Sequence, residues 1–306
     1  MYRYLFKRLG IMLATLFLIL LLTFILMHSV EGGPFSREKK LNPRVEEALN
    51  EKYHLNDPMV KQFFDYVGGV IRFDFGPSFK YPGKTVNDFI QEGFPISAKL
   101  GMVTMGFILV SAIPLGIWAA LKNGRWQDAF VMTIATLGVT IPSFVLATVL
   151  MYFFSYKLEW TPVYGLDSPV GYILPVLALG GYSMSFIARL MRSSLLEVMN
   201  QDYIRTARAK GLSESGVILK HALRNSLIPV VTILGPTIAG LLTGSFVIEK
   251  IFAIPGMGVH FVDSVAQRDY TAIMGITVFY ATFLIAMILL VDLFYVVIDP
   301  RIQLDD

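Results

Sequence analysis

The sequence predicts an all-α integral membrane protein with six transmembrane helices and a small domain inserted between the first two. Three observations carry that reading. Of the 306 residues, 55% are hydrophobic and only 16% are charged, where an ordinary soluble domain carries about 25% charged residues. The apolar residues are gathered into blocks instead of recurring with the period of an amphipathic helix or strand. Six of these blocks reach the length of about 20 residues that a helix needs to cross the hydrocarbon core of a bilayer.

The first block, Leu9 to Met27, follows Arg3, Lys7 and Arg8. That charge pattern suits a secretory signal, but the apolar run is too long for one and no small-residue cleavage site stands at Ser29 to Gly33. It is expected to remain as the first span. The second runs from Leu100 to Leu121. The third, Ala129 to Tyr156, is long enough to tilt or to kink at Pro142. The fourth covers about Pro169 to Ala188 and the fifth Ser226 to Ile248. The sixth runs from Thr271 to Val291 and on past Asp292 to about Ile298.

Orientation follows from basic residues in the short loops, which favour the cytoplasmic side. With the N-terminus inside, the inner segments hold Lys122 and Arg125, then Arg189, Arg192, Arg205, Arg208, Lys210, Lys220 and Arg224, then Arg301. The short outer loops hold little more than Lys157, Lys250 and Arg268. Both termini are therefore expected in the cytoplasm of a multi-pass protein of the cell membrane. Trp126, beside Arg125, is expected to anchor the interface.

Residues 31–95 form the expected extracytoplasmic domain. With nine Lys/Arg against ten Asp/Glu the segment is near neutral, and a loop of this length crosses largely regardless of charge. Pro43 and Pro58 stand where prolines open helices behind Asn42 and Asp57 caps, predicting helices at about 43–53 and 58–71. A polar, Gly/Pro-marked stretch, Phe73 to Thr85, precedes a short amphipathic helix ending near Glu92. The domain either caps the bundle or docks a partner protein. The remaining divisions are residues 1–30, a tail and the first span; 96–298, the bundle; and 299–306, a cytoplasmic tail.

The fourth and fifth spans are joined by about 35 polar residues, where helix–helix connections usually take 2–8. Tyr203 to Lys210 has no breaker and should be helical. Gly211 suits a left-handed stop, with Leu212 folding back, and Arg208 and Lys210 lie where cations favour the helix dipole. Ser213 can cap a second helix running to about Arg224. On physics alone this basic helix and turn either lies on anionic lipid or docks a partner.

The run Asp202-Tyr203-Ile204-Arg205-Thr206-Ala207-Arg208-Ala209-Lys210-Gly211-Leu212, followed by His221-Ala222-Leu223-Arg224-Asn225-Ser226-Leu227-Ile228-Pro229, resembles the EAA loop of ABC importer permeases in its peptide-transporter form. The general pattern opens Glu-Ala-Ala. Here those positions are Arg205, Thr206 and Ala207, so a role for the family's glutamate does not transfer, while Ala207 and Gly211 match. Further runs are similar to the B-type permease subunits of oligopeptide importers: Gly32-Gly33-Pro34-Phe35, Tyr53-His54-Leu55-Asn56-Asp57-Pro58, Asp74 to Tyr81, Phe94 to Ala98, Gly244 to Glu249, Ile254 to Gly258, Arg268-Asp269-Tyr270 and Ile298-Asp299-Pro300-Arg301.

The resemblance covers nearly the whole chain. It implies the type I ABC importer permease fold, and a coupling helix of Tyr203, Arg205, Thr206, Ala207, Arg208, Ala209, Lys210 and Gly211 that docks on a cytoplasmic ATPase. It further implies a second homologous permease, two ATPase subunits that bind the ATP and magnesium, an extracytoplasmic peptide-binding protein, and an oligopeptide as the substrate. Dipeptides, nickel chelates or glutathione are the substrates of related permeases.

Other chemistry is not supported. Cysteine is absent, which removes disulfides, thiolate metal sites and thiol nucleophiles. His28, His54, His221 and His260 show no metal-ligand spacing, and no cofactor or metal is expected in this chain. A net charge of +3 without a basic face gives no nucleic-acid footprint. Ser78 to Thr85 comes within one residue of a phosphate-binding P-loop, but Gly76 is two positions early and Pro82 removes an amide donor. The spans lack the paired groups of an intramembrane hydrolase, and an ion channel would leave the inner loop without a purpose. Within the fifth span, Thr243, Ser245 and Phe246 are candidates for a substrate path, because breaks in transporter helices line pathways. Glu249 and Lys250 could meet a peptide's charged ends or be solvated at the interface. Asp292 could pair with a neighbouring helix or with Arg301.

Overall fold

The computed structural model describes residues 2–29, 47, 50–51 and 54–298, and the side chains of these except at 2–5 and 291–298. The helix expected at 43–53, the Gly32 to Phe35 and Asp299 to Arg301 motifs, the tail and the side chain of Asp292 lie outside the described residues.

Apolar sequence becomes helix wherever the backbone can bond only to itself, as it must in lipid. α1 is Tyr2–Ser29, α2 Met59–Ile71, α3 Val86–Leu121, α4 Trp126–Thr140 and α5 Ser143–Leu150, the last carried on by a π-helical turn, Met151–Lys157. α6 is Ile173–Met199, entered through a 3₁₀ turn at Pro169–Tyr172. α7 is Asp202–Ala209, and α8 is a continuous helical run, 214–226, that includes a π segment at Val217–Ala222. α9 is Ile228–Leu242, α10 Phe246–Ile251, α11 Met257–Gln267 and α12 Tyr270–Ile298. Hydroxyls inside the apolar helices are satisfied by the preceding turn, as where Thr23 Oγ1 donates to the Ile19 carbonyl at 2.6 Å.

Among the described residues, five stretches are long and apolar enough to cross a membrane: Phe6–Ser29, Val86–Leu121, Pro169–Met199, Ile228–Ile251 and Tyr270–Leu290. The third expected span, Ala129 to Tyr156, is divided. Trp126–Thr140 and Ser143–Lys157 meet at 107°, far beyond a kink, because Pro142 cannot continue the first helix and instead caps the second, its carbonyl accepting from the Leu146 amide at 3.0 Å. The short helix expected to end near Glu92 and the span expected from Leu100 are one helix, α3. Pro95 lies inside it and costs one backbone bond. The ring of Phe94 is held between Phe279 and Phe283, with centroids 5.0 and 4.9 Å away.

The chain forms two compact units. One is residues 1–96 with 255–306, and its core gathers Leu20, Phe24, Phe63, Val86, Met257 and Ile276. The loop Phe73 to Thr85 is stitched on itself by an isolated pairing of Pro77 with Thr85. The other unit is residues 97–254, with Ile108, Ile187, Met191, Leu195, Ile204 and Val217 at its centre. There α3 approaches α9 so closely that a Cβ on Gly101 would stand 2.4 Å from the Leu241 carbonyl oxygen.

Candidate functional site

The segment after α6 folds as its residues dictate. α7 is exposed on most sides, but Ile204 and Ala207, three apart, turn one face inward and are buried. Burial of Ile204 contributes about 2 kcal/mol, enough to seat a helix too short to be stable alone. Gly211, with φ +80°, reverses the chain. Its amide donates to the Arg208 carbonyl at 2.9 Å and that of Leu212 to the Ala207 carbonyl at 3.4 Å, the paired bonds of a Schellman stop. Ser213 then caps α8, accepting from the Gly216 amide at 3.3 Å.

Side chains brace this turn. Arg208 Nε donates to Glu214 Oε1 at 2.8 Å across Gly211, Arg205 reaches Asp202 at 3.3 Å, and Asn225 donates to the Tyr203 hydroxyl at 2.7 Å. Tyr203, Arg205, Thr206, Arg208, Ala209, Lys210 and Gly211 are all exposed, whereas Ala207 packs inward. The turn therefore presents a basic, solvent-facing knob on a buried hinge of Ile204 and Ala207.

Sequence reasoning missed the support beneath it. Arg192 was counted as a loop cation, yet it lies within α6. Its Nε and Nη2 donate to the two oxygens of Asp128, each at 2.6 Å, and Nη2 also to Asn123 at 2.9 Å. Asp128 is almost fully buried and accepts from the Gly124 amide at 3.0 Å. A lone carboxylate opening an apolar run was the available signal. Trp126 is exposed, edge-on to Trp118 at 6.3 Å.

The fifth span breaks between Leu242 and Phe246, at Gly244 with φ +84°, and not at Pro236, which stays inside α9. The Thr243 hydroxyl turns back to the Gly240 carbonyl at 2.9 Å. Ser245 caps α10, its hydroxyl accepting from the Ile248 amide at 3.4 Å, and Phe246 is partly exposed. Glu249 differs from both readings that its sequence position allowed. It is completely buried and accepts from the Ser97 hydroxyl at 2.7 Å.

The P-loop look-alike is a different object. The Ser78 hydroxyl donates to Asp269, and the Lys84 ammonium is paired with Glu92, which holds it above the ordinary lysine range.

The sequence is 51% identical over 304 residues to the dipeptide transport system permease protein of Bacillus subtilis, covering 99% of each chain. It is 45% identical over 306 residues to the oligopeptide transport system permease protein of Haemophilus influenzae, covering 99% of this chain and 100% of the relative. Among solved structures, the MetNI methionine ABC transporter in inward-facing conformations matches with a TM-score of 0.53 at 20% identity, over 67% of this chain and 92% of the other. An amino acid ABC transporter matches with a TM-score of 0.52 at 16% identity, over the same shares. Those two likenesses speak to the fold. The profile of binding-protein-dependent transport system inner membrane components matches residues 112–304, and the chain belongs to that family.

Proposed function

We propose that this chain is a permease subunit of a peptide ABC importer, and that it forms, with a second homologous permease, the path for ATP-driven uptake of oligopeptides delivered by an extracytoplasmic binding protein. The observation that carries the reading is end-to-end similarity of 40–51% to dipeptide and oligopeptide permeases. Dipeptides are the second reading, favoured by the relative at 51%.

Both termini lie in the cytoplasm, residues 31–95 outside the cell, and the turn after α6 inside. Two partner ATPases bind ATP and magnesium and hydrolyse the nucleotide. The exposed residues Tyr203, Arg205, Thr206, Ala209, Lys210 and Gly211 meet an ATPase surface, Arg208 braces the turn, and Ala207 with Ile204 seats it. Closure of the ATPases pushes this knob. The α6 helix, joined to α4 through Arg192 and Asp128, carries the displacement into the bundle. Inward-open and outward-open states are then populated according to which ligands bind each more tightly.

The break of the fifth span sets out the path, with Thr243, Ser245 and Phe246 near it. Glu249 is the buried tie that holds the break in shape. Solvated, half-exposed hydroxyls and a ring suit a substrate of mixed polarity, and a buried carboxylate bonded to Ser97 suits a scaffold.

Gly211→Asp tests the coupling. A Cβ there meets open space, so the substitution adds about 1 kcal/mol of left-handed strain without a clash. In proteoliposomes holding the complete importer, the variant should be inserted and assembled but lose peptide-stimulated ATP hydrolysis and uptake together. Normal stimulated turnover would remove the turn from the coupling path.

A further inference from the structure

α2 falls in the segment expected as a small extracytoplasmic domain. Its contacts with α1 place it deeper. The ring of Phe63 packs edge-on against Phe24 and Phe17 of α1, with centroids 5.3 and 5.9 Å away. Phe17 stands twelve residues before the end of a span that covers Phe6–Ser29, which at 1.5 Å per residue is about 18 Å along the helix axis. The Phe63 ring, seated between Phe17 and Phe24, lies about 13 Å from that end, inside a hydrocarbon core about 30 Å thick. At the shallower end, Gln62 Oε1 sits 3.1 Å from the ring of His28. Gln62 and Phe63 thus tie this part of α2 to the side of α1, below the end of the span.

The surface of α2 fits that position. On a helical wheel, Met59, Val70, Phe63, Val67, Val60, Ile71 and Phe64 fill one continuous arc. One edge of the arc, with Phe63, is buried on α1. The other edge is bare: Val60, Phe64 and Ile71 are 68, 64 and 73% exposed. Leaving such side chains in water forfeits about 1.5–3 kcal/mol each. The opposite side carries Lys61, Asp65 and Arg72, all exposed, and Lys61 is paired with Asp57 at 2.9 Å.

We infer that α2 is a membrane-embedded amphipathic helix, lying against α1 in the leaflet at the C-terminal end of that span. Its Val60–Phe64–Ile71 edge contacts lipid acyl chains and its Lys61–Asp65–Arg72 side faces headgroups and water. The occupant is lipid because the bare edge lies beside the exposed Leu18, Leu22 and Leu26 of α1, a helix long and apolar enough to cross a membrane. The inference rests on α1 being a span, and it is independent of the transported substrate. It also makes α2 a wedge that moves with α1, so the segment between the first two spans is anchored to the bilayer as well as to the chain.

The absence of native cysteines permits a direct test. Single nitroxide labels are placed at Val60→Cys, Phe64→Cys and Ile71→Cys, and at Lys61→Cys, Asp65→Cys and Arg72→Cys, in the complete importer and in the chain alone, both in liposomes. Collision with dissolved oxygen, which concentrates in lipid, is compared with collision with a water-soluble nickel chelate. The oxygen-to-chelate ratio should be several-fold higher at 60, 64 and 71 than at 61, 65 and 72, in both preparations. Chelate access at 60, 64 and 71 would overturn the inference by placing that edge in water. Exclusion of both reagents there would overturn it by placing protein over the edge: in both preparations residues 30–53 or a second copy, and in the complete importer alone a partner subunit.

Discussion

Arg192 holds Asp128 in a two-point grip, Nε to Oδ1 and Nη2 to Oδ2, each at 2.6 Å, joining α6 to the start of α4 ahead of the proposed coupling knob that begins at Asp202. Planar guanidinium matches carboxylate in this way and lysine does not. Removing one partner leaves a largely buried charge, so Arg192→Met should cost about 2–3 kcal/mol, discounted from the fully buried range because the arginine is partly exposed. The double variant Asp128→Leu with Arg192→Met should recover part of the loss. Thermal unfolding of the purified chain in a double-mutant cycle reads the coupling. Additive single effects would show that the grip contributes nothing beyond its parts.

Asp269 is completely buried and accepts from the Ser78 hydroxyl, the Phe79 amide at 3.1 Å, the Thr271 hydroxyl at 3.0 Å and the Ala272 amide at 3.3 Å. One carboxylate thus caps α12 and pins the loop Phe73 to Thr85. Asp269→Ala orphans several buried donors and should destabilise by about 2–3 kcal/mol. The loop should then be cut faster by trypsin after Lys80 and Lys84. Ser78→Ala, which removes one of those donors and also the acceptor of the Lys80 and Tyr81 amides, at 3.2 and 3.0 Å, should cost about 1–2 kcal/mol. Equal protease resistance in Asp269→Ala and the parent would count against the pin.

His260 stacks on Phe89 with centroids 5.1 Å apart. Burial holds its imidazole below the ordinary histidine range; Glu92 and Asp263 pull it upward and Lys84 downward, without reversing the shift. The unfolded chain therefore takes up a proton before the folded one does, and stability present above about pH 6.5 is lost as the pH falls through the folded value. Unfolding temperatures measured from pH 8 to 5 should drop on the acid side, and His260→Gln should flatten that drop. An unchanged profile in the variant would assign the acid loss to other groups.

Topology is open to a chemical test. Lys40→Cys should react with an impermeant thiol reagent in intact cells and Lys122→Cys only after permeabilisation, if the N-terminus is inside as the basic residues of the short loops imply. Labelling of position 122 but not 40 would reverse the orientation.

Gly211 shows how far local rules reach. A glycine after a helix of good formers, with Ser213 behind it, specifies a left-handed stop and a cap from four consecutive side chains, and the folded chain has both. Asp128 and Arg192 show where such rules end. Sixty-four positions separate them, and nothing in either neighbourhood names the other. Glu249 is a similar case, since a carboxylate at the end of a span reads as solvated until Ser97 is found 2.7 Å from it. Pro95 marks the opposite failure: Gly93-Phe94-Pro95 is a local breaker, overruled because Gly93, where a Cβ would stand 2.8 Å from the Met257 amide nitrogen, permits close packing while Phe94 packs against two rings.

The amino-acid sequence alone determined the membrane as solvent, the number and approximate limits of the apolar blocks, and the helix–glycine–helix turn, because each depends on residues adjacent in the chain and on transfer of side chains into hydrocarbon. Tertiary structure alone decided that the third block folds back at 107°, that the fifth breaks at Gly244, and that Asp128, Glu249 and Asp269 are buried ties. It also decided that Phe63 of α2 packs on Phe17 and Phe24 of α1. Those outcomes depend on which distant partner satisfies a buried polar group or covers an apolar face, and that pairing energy exists only once the helices are packed.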